Sequence, residues 1–372
     1  MTLVDPRIVR LADVLVSYCV GAEQGQVVTV EAAPVAASLV TEVYRRILRA
    51  GAHPLVRIAL DGGAEERLRH GSDAQLDWVS PVVADDASLP DARIAILGGL
   101  NTRAQSTVDP ARQARATRAR APYLKTILER TAAGDFRWVA TAFPTQAGAQ
   151  EAGMSLSRYA EHLFAAMLLD RPDPVAAWGE LGAGIRQLAE RLHGVRELHL
   201  RADGTDLRVS VEGRTWIPCD GRLNFPDGEV FTAPVENSAE GVIRFTYPAV
   251  FHGRAVEDVR LRFSGGEVVE ATAARGQGFL EEMLALDEGA RRLGELAFGL
   301  NDAVQTFSGE TLLDEKIGGT VHLALGEAYS ASGGTNTSGL HWDMVCDLRR
   351  GGTVHADGEL VYRDGRFLEG KP

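Results

Sequence analysis

Cysteine is scarce. The chain of 372 residues holds three, Cys19, Cys219 and Cys346, and no two of them stand in a C-x-x-C spacing. That excludes a disulfide framework and a thiolate zinc site as organising features, and it agrees with a reducing compartment. Long apolar runs are lacking too: no stretch reaches the roughly 20 residues that a membrane-spanning helix needs. The N-terminal MTLVDPRIVRLADVLVSYCVGAEQGQ breaks its apolar positions with Asp5, Arg7, Arg10 and Asp13, where a secretion signal would be an uncharged run. Basic charge is in deficit, with 39 Lys and Arg against 51 Asp and Glu and a net charge of −12. A nucleic-acid partner, which asks for a basic face, is not expected. The reading is a cytoplasmic protein with no membrane segment.

What is present is ordinary for a globular chain, 45% apolar and 24% charged, and the length suits two domains. Up to about residue 194, short apolar strands alternate with helical segments. The strands are QVVTVEA (26–32), PLVRIAL (54–60), ARIAILGG (92–99) and FRWVATAFP (136–144); the helices fall around 64–78, 109–130, 155–169 and 173–193. Such alternation predicts an α/β domain with a mostly parallel sheet. From residue 195 to 372 the pattern turns to hairpins, RELHLRADGTDLRVSVEG around an Asp-Gly and VEDVRLRFSGGEVVEATA around a Gly-Gly. One helix is expected over roughly Gly278 to Leu300, with Leu280, Met283, Leu284, Leu286, Leu293 and Ala297 as its apolar stripe. This half reads as an α+β, mainly antiparallel domain.

Three segments invite a functional reading and fail it. ILGGLN (96–101) lacks the full G-x-G-x-x-G and a P-loop lysine, so a tight turn is expected. GMSLS (153–157) lacks the second glycine of a nucleophile elbow, which leaves Ser155 or Ser157 as a helix cap. RQARATRARAPYLK (112–125) reads as a solvated helix face.

GLHWDMVCDLRRGG (339–352) alternates as a half-buried strand does, so Trp342, Met344 and Cys346 share one side while His341, Asp343 and Val345 share the other. A histidine and a carboxylate on one face either hold a cation together or let the acid orient the imidazole. Further candidates are Glu229 in FPDGEVFTAP, Glu295 in ARRLGELAF, Glu315 in LLDEKIGG, and His322 and Tyr329 in VHLALGEAY. Singly each has a plain reading: Glu229 in a polar turn, Glu295 paired with Arg291 one helical turn back, His322 as a core histidine. His322 and Tyr329 are seven apart, so a turn at Gly326 is needed to bring them together.

Taken in order, NFPDGEVFTAP, GVIRFTYP, DEGARRLGELAFG, DEKIGG, HLALGEAY and HWDMVCDLR resemble the thermophilic metalloaminopeptidase family. The similarity covers most of the C-terminal half; QEAGMSLSRYAEHLFAA (150–166) is similar to the family's linker region. It implies Glu229, Glu295, His322, His341 and Asp343 as metal ligands, and Glu315 as a further ligand or as support behind them. Tyr329 is implied as catalytic. The family likeness implies a homodimer whose N-terminal domains help to enclose the site and limit substrates to short peptides. A donor set of carboxylates and imidazoles without thiolate suits Zn, Co or Mn. The expected reaction is release of the N-terminal residue by a water bridging two ions, with Glu229, or else Glu295, as base and Tyr329 as oxyanion donor. The alternative is a non-catalytic α/β protein that binds a small ligand and whose C-terminal carboxylates form structural ion pairs.

Overall fold

A computed structural model describes residues 5–251 and 254–369. By contacts the chain divides into two compact units, 1–179 with 221–226, and 180–220 with 227–372.

The first unit is built on a parallel sheet. Its strands run in the order His53–Ile58, Val27–Ala32, Ala92–Leu97, Arg137–Ala142 and Asn224–Phe225, and every adjacent pair is parallel. Val28, Thr29, Val30 and Ala32 are all buried on Val27–Ala32, as expected of a parallel strand covered on both faces. Helix Ala37–Arg49 packs on this strand and on His53–Ile58, burying Leu39, Val40, Val43 and Ile47 at the helical spacing. Asp5 caps the first helix, Pro6–Asp13, by accepting from Arg7 N at 2.9 Å. Ser155 caps Leu156–Ala166 in the same way. The arginine run spans two helices, Pro110–Ala119 and Ala121–Ala133. Part of it fastens helix Asp73–Asp77, since Arg115 pairs at 2.6 Å with Asp73 and with Asp77.

The second unit holds two larger antiparallel sheets. The eight-stranded one contains the Asp203-Gly204 and Gly265-Gly266 hairpins expected from the sequence. The five-stranded one runs in the order His341–Asp347, Thr320–Gly326, Leu293–Gly299, Glu229–Thr232, Ile217–Cys219. Leu198, Leu207, Ile243 and Phe263 of the first and Val230, Leu296, Phe298, Leu323, Trp342 and Met344 of the second belong to one hydrophobic cluster.

The long helix expected over Gly278–Leu300 does not form. A helix covers Gln277–Leu284 only, and Leu293–Gly299 is a central strand. All seven of its residues are buried, and an apolar run buried on both faces cannot be told from a buried helix by periodicity. Glu295 is therefore a strand residue, and Arg291 pairs instead with Glu267 at 3.8 Å.

Candidate metal centre

In an antiparallel sheet, directly opposed residues point to the same side. His322 lies opposite both Ala297 and Val345, Ala324 opposite both Glu295 and Asp343, Glu229 opposite Gly299, and His341 opposite Gly326. Glu229, Glu295, His322, His341 and Asp343 thus share one face of the five-stranded sheet. Of the residues interleaved with them, Ala297, Gly299, Ala324 and Gly326 are small and leave room between the donors, while Val345 is the larger exception. The other face carries Val230, Leu296, Phe298, Leu323, Trp342, Met344 and Cys346 into the core. Glu295 reaches the open face through a bulge, because the register shifts between Leu293 and Glu295. Gly294 takes up the extra residue where an added Cβ would meet Glu327 O at 2.2 Å.

The donor atoms converge. His322 Nε2 is 3.1 Å from Glu295 Oε1 and 3.5 Å from Glu229 Oε2. His341 Nε2 is 3.9 Å from Glu295 Oε2 and 3.5 Å from Asp343 Oδ2. Glu295 therefore turns one oxygen toward each imidazole. A Glu315 oxygen lies within 4.8 Å of the Glu229 and His322 donors. His341 Nδ1–H donates to Glu327 O at 2.8 Å, which leaves Nε2 as the lone-pair nitrogen facing the carboxylates. Tyr329 follows the turn at Gly326, where φ is +99°. Its ring packs against Phe231 at 5.5 Å and edge-on to His341 at 5.2 Å, while about half of its surface (53%) stays exposed.

Two buried groups that the sequence reading passed over complete the cluster. Lys316 Nζ pairs with Glu229 Oε1 at 2.6 Å, donates to Glu315 Oε2 at 3.0 Å, and lies 3.8 Å from Asp227 Oδ1. The sequence carries no clear signal for it, since Lys316 follows Asp314 and Glu315 as surface lysines often do; only the fold shows it buried among acidic partners. Asp227 stands two residues before Glu229 and carries no signal of its own.

Burial dominates the electrostatics. It pushes Asp227 up to about 8 against the pull of Lys316, and it raises Glu229 against Lys316 and His322. Asp343 is driven well above its ordinary range by burial and then by Glu315 and Glu295, and it shares a hydrogen bond with Glu315. For Glu315 burial also acts upward, but Lys316 and His322 outweigh it and hold that carboxyl low. Lys316 and His322 are both raised, because the surrounding carboxylates outweigh their desolvation. Desolvation, then Glu295 and Asp343, lift the Tyr329 phenol above its ordinary value.

The donor set fits divalent metal ions. Bonds of roughly 2.0–2.2 Å to a tetrahedral ion place donors roughly 3.3–3.6 Å apart, and the four imidazole–carboxylate separations run from 3.1 to 3.9 Å. Buried Glu229 Oε2 and Asp343 Oδ1 have no hydrogen-bond partner, and buried polar atoms without partners call for a ligand. Of the five clustered carboxylates three, those of Asp227, Glu229 and Glu315, face the ammonium of Lys316, while Glu295 and Asp343 gather about His322, so one ammonium does not pair with the whole acidic cluster.

Fold and donor set together define a metal-dependent hydrolase. The sequence profile described as Thermophilic metalloprotease (M29) matches residues 4–367, and the chain belongs to that family. Aminopeptidase T of Thermus thermophilus is 31% identical over 394 aligned positions, covering 96% of this chain and 95% of that protein. Aminopeptidase T of Thermus aquaticus is 32% identical over 397, covering 97% and 95%. The solved structure of wild-type AmpT from Thermus thermophilus superposes with a TM-score of 0.83 at 28% identity, over 98% of this chain and 99% of that one. The likeness extends through the N-terminal half, where the sequence motifs showed only a general layout. Among the described residues no helix is long and apolar enough to cross a membrane.

Proposed function

We propose that this metallo-aminopeptidase holds two divalent ions, of Zn, Co or Mn, and releases the N-terminal residue of short peptides. One observation carries the two-ion reading: Glu295 directs Oε1 toward His322 and Oε2 toward His341. Glu229 and Glu315 would complete the His322 side and Asp343 the His341 side. When bound, such a pair supplies Lewis-acid polarisation of the peptide carbonyl and acidifies a water between the ions. Glu229 has one oxygen left by Lys316, Oε2, which either ligates the ion on the His322 side or serves as base, taking the proton of the attacking water and passing it to the leaving amine; Glu295 is the other candidate for the base. Tyr329, beside His341 at the exposed rim, donates its hydroxyl hydrogen to the oxyanion of the tetrahedral intermediate. The homodimeric part of the reading rests on the family likeness, and the cytoplasmic part on the scarcity of cysteine and the lack of any C-x-x-C spacing.

The test is elemental analysis of the purified protein together with hydrolysis of a panel of aminoacyl-p-nitroanilides before and after chelation. About two ions per chain, with activity lost on chelation and restored by Co or Zn, support the reading. A protein that stays inert after Zn, Co and Mn are added back overturns it.

A further inference from the structure

The two-ion reading assigns no role to Lys316, the one cationic side chain inside the carboxylate cluster among the described residues. It is 1% exposed, and its backbone is anchored at both ends. Its N–H donates to Leu313 O at 3.1 Å, and its carbonyl accepts from Asn301 N at 3.1 Å. Asn301 also donates through Nδ2 to Asp227 O at 2.9 Å, so a single residue ties Lys316 to the acid on its far side. An ammonium has three protons, and three carboxylates surround this one: Glu229 at 2.6 Å, Glu315 at 3.0 Å and Asp227 at 3.8 Å. Of the Glu229 oxygens, Oε1 is thereby occupied, while buried Oε2 has no hydrogen-bond partner and lies 3.5 Å from His322 Nε2.

We propose that Lys316 is a positioning residue of the metal centre, whose ammonium takes one oxygen from each of Glu229 and Glu315 so that Glu229 meets the centre through Oε2 alone. The inference rests on the two-ion reading. A carboxylate with both oxygens free can chelate an ion through both, and each added bond closes a position that a catalytic ion needs for water or substrate. An ammonium hydrogen-bonded to one oxygen prevents this and fixes the direction of the other, as partners behind metal ligands do. Charge points the same way. Five carboxylates and one ammonium sum to −4 when all are ionised, the charge that two divalent ions neutralise; without the ammonium one negative charge is left over.

The full-length apo-protein is titrated with Co²⁺, following the visible absorption of the bound ion, for the wild type and Lys316→Met, a neutral chain of similar length. The expected variant binds Co²⁺ at least as tightly, since removing a cation from beside cations strengthens their attraction. Its Co²⁺ spectrum differs from that of the wild type, and kcat falls roughly 10–100-fold with KM little changed. A folded variant with an unaltered spectrum overturns the proposal. So does loss of Co²⁺ binding, which would make Lys316 a builder of the site and not a restraint on it. Should Lys316→Met fail to fold, Lys316→Gln takes its place; its amide is uncharged and one atom shorter, cannot span both carboxylates, and must show the same spectral change. A wild-type protein that binds no Co²⁺ and stays inert overturns the parent reading and this one together, whereas a loaded, active wild type with an indifferent variant overturns this one alone.

Discussion

His322 Nε2 lies 3.1 Å from Glu295 Oε1, although neither residue stands opposite the other in the sheet: His322 faces Ala297, and Glu295 faces Ala324. The two meet on the diagonal, across small side chains. Ala324→Leu would fill the space between Glu295 and Asp343. It is expected to weaken Zn²⁺ binding by at least about tenfold while costing only about 1–3 kcal/mol of stability, as overpacking does. Calorimetric titration and urea unfolding measure the two effects separately; unchanged affinity would show that Ala324 does not border the site.

Tyr329 and His341 touch edge to face but should separate by experiment. Tyr329→Phe keeps the ring contacts with Phe231 and His341 and removes only the hydroxyl. Metal content should stay at the wild-type level while kcat falls roughly 10²–10³-fold. His341→Ala should lose metal as well as turnover. A Tyr329→Phe enzyme with wild-type kcat would remove the oxyanion role.

Asp314 supplies a pH dependence. Burial pushes its carboxyl up to about 7, although Ser308 N and Oγ donate to it at 2.7 and 2.9 Å. The folded state thus holds a proton that the unfolded chain releases near 4. Between those values the native state binds more protons, so this residue's contribution to stability falls as pH rises from about 4 to about 7. Asp314→Asn keeps an acceptor for Ser308 and removes the titration. Apo-protein carrying it should gain stability over wild type as pH rises through that window, by roughly 1–4 kcal/mol at pH 8. Urea midpoints of both proteins at several pH values give the difference directly, and parallel profiles would discard the idea.

Chelation should lower the melting temperature. Ions that bind the folded site and not the unfolded chain stabilise by mass action, about 2.7 kcal/mol at a free concentration 100 times Kd. Thermal unfolding at graded Zn²⁺ should show a midpoint that climbs with concentration in the wild type and much less in His341→Ala. A midpoint insensitive to Zn²⁺ in the wild type would argue against coupling of the centre to folding.

Much of the candidate site could be read before any fold was known, for a local reason. The alternation of HWDMVCD places His341 and Asp343 on one face whatever the strand's neighbours are, because side chains in a strand alternate with a period of two. The turn required at Gly326 was legible too, from the odd spacing of His322 and Tyr329. Glu295 was legible as a residue type in a family motif but not as a strand residue: LGELAFG is buried throughout, and a short buried run carries no period to distinguish strand from helix. Lys316 was not legible, because in LLDEKIGG it directly follows two acids, as a surface lysine commonly does.

The sequence by itself determined most of the elements, Leu293–Gly299 excepted, the parallel and antiparallel halves, and the chemical character of the donor set, since these follow from periodicity, turn residues and side-chain type. Tertiary structure alone decided which residues meet. Glu295 lies two residues beyond core-facing Leu293 and yet faces the site, because the bulge at Gly294 shifts the register against a neighbouring strand. Such a shift is a property of a pair of strands and cannot be seen in one of them. The same holds for Lys316, whose three carboxylate partners come from two separate stretches of chain. Only the folded molecule brings them around one ammonium, where burial makes their pairing a necessity.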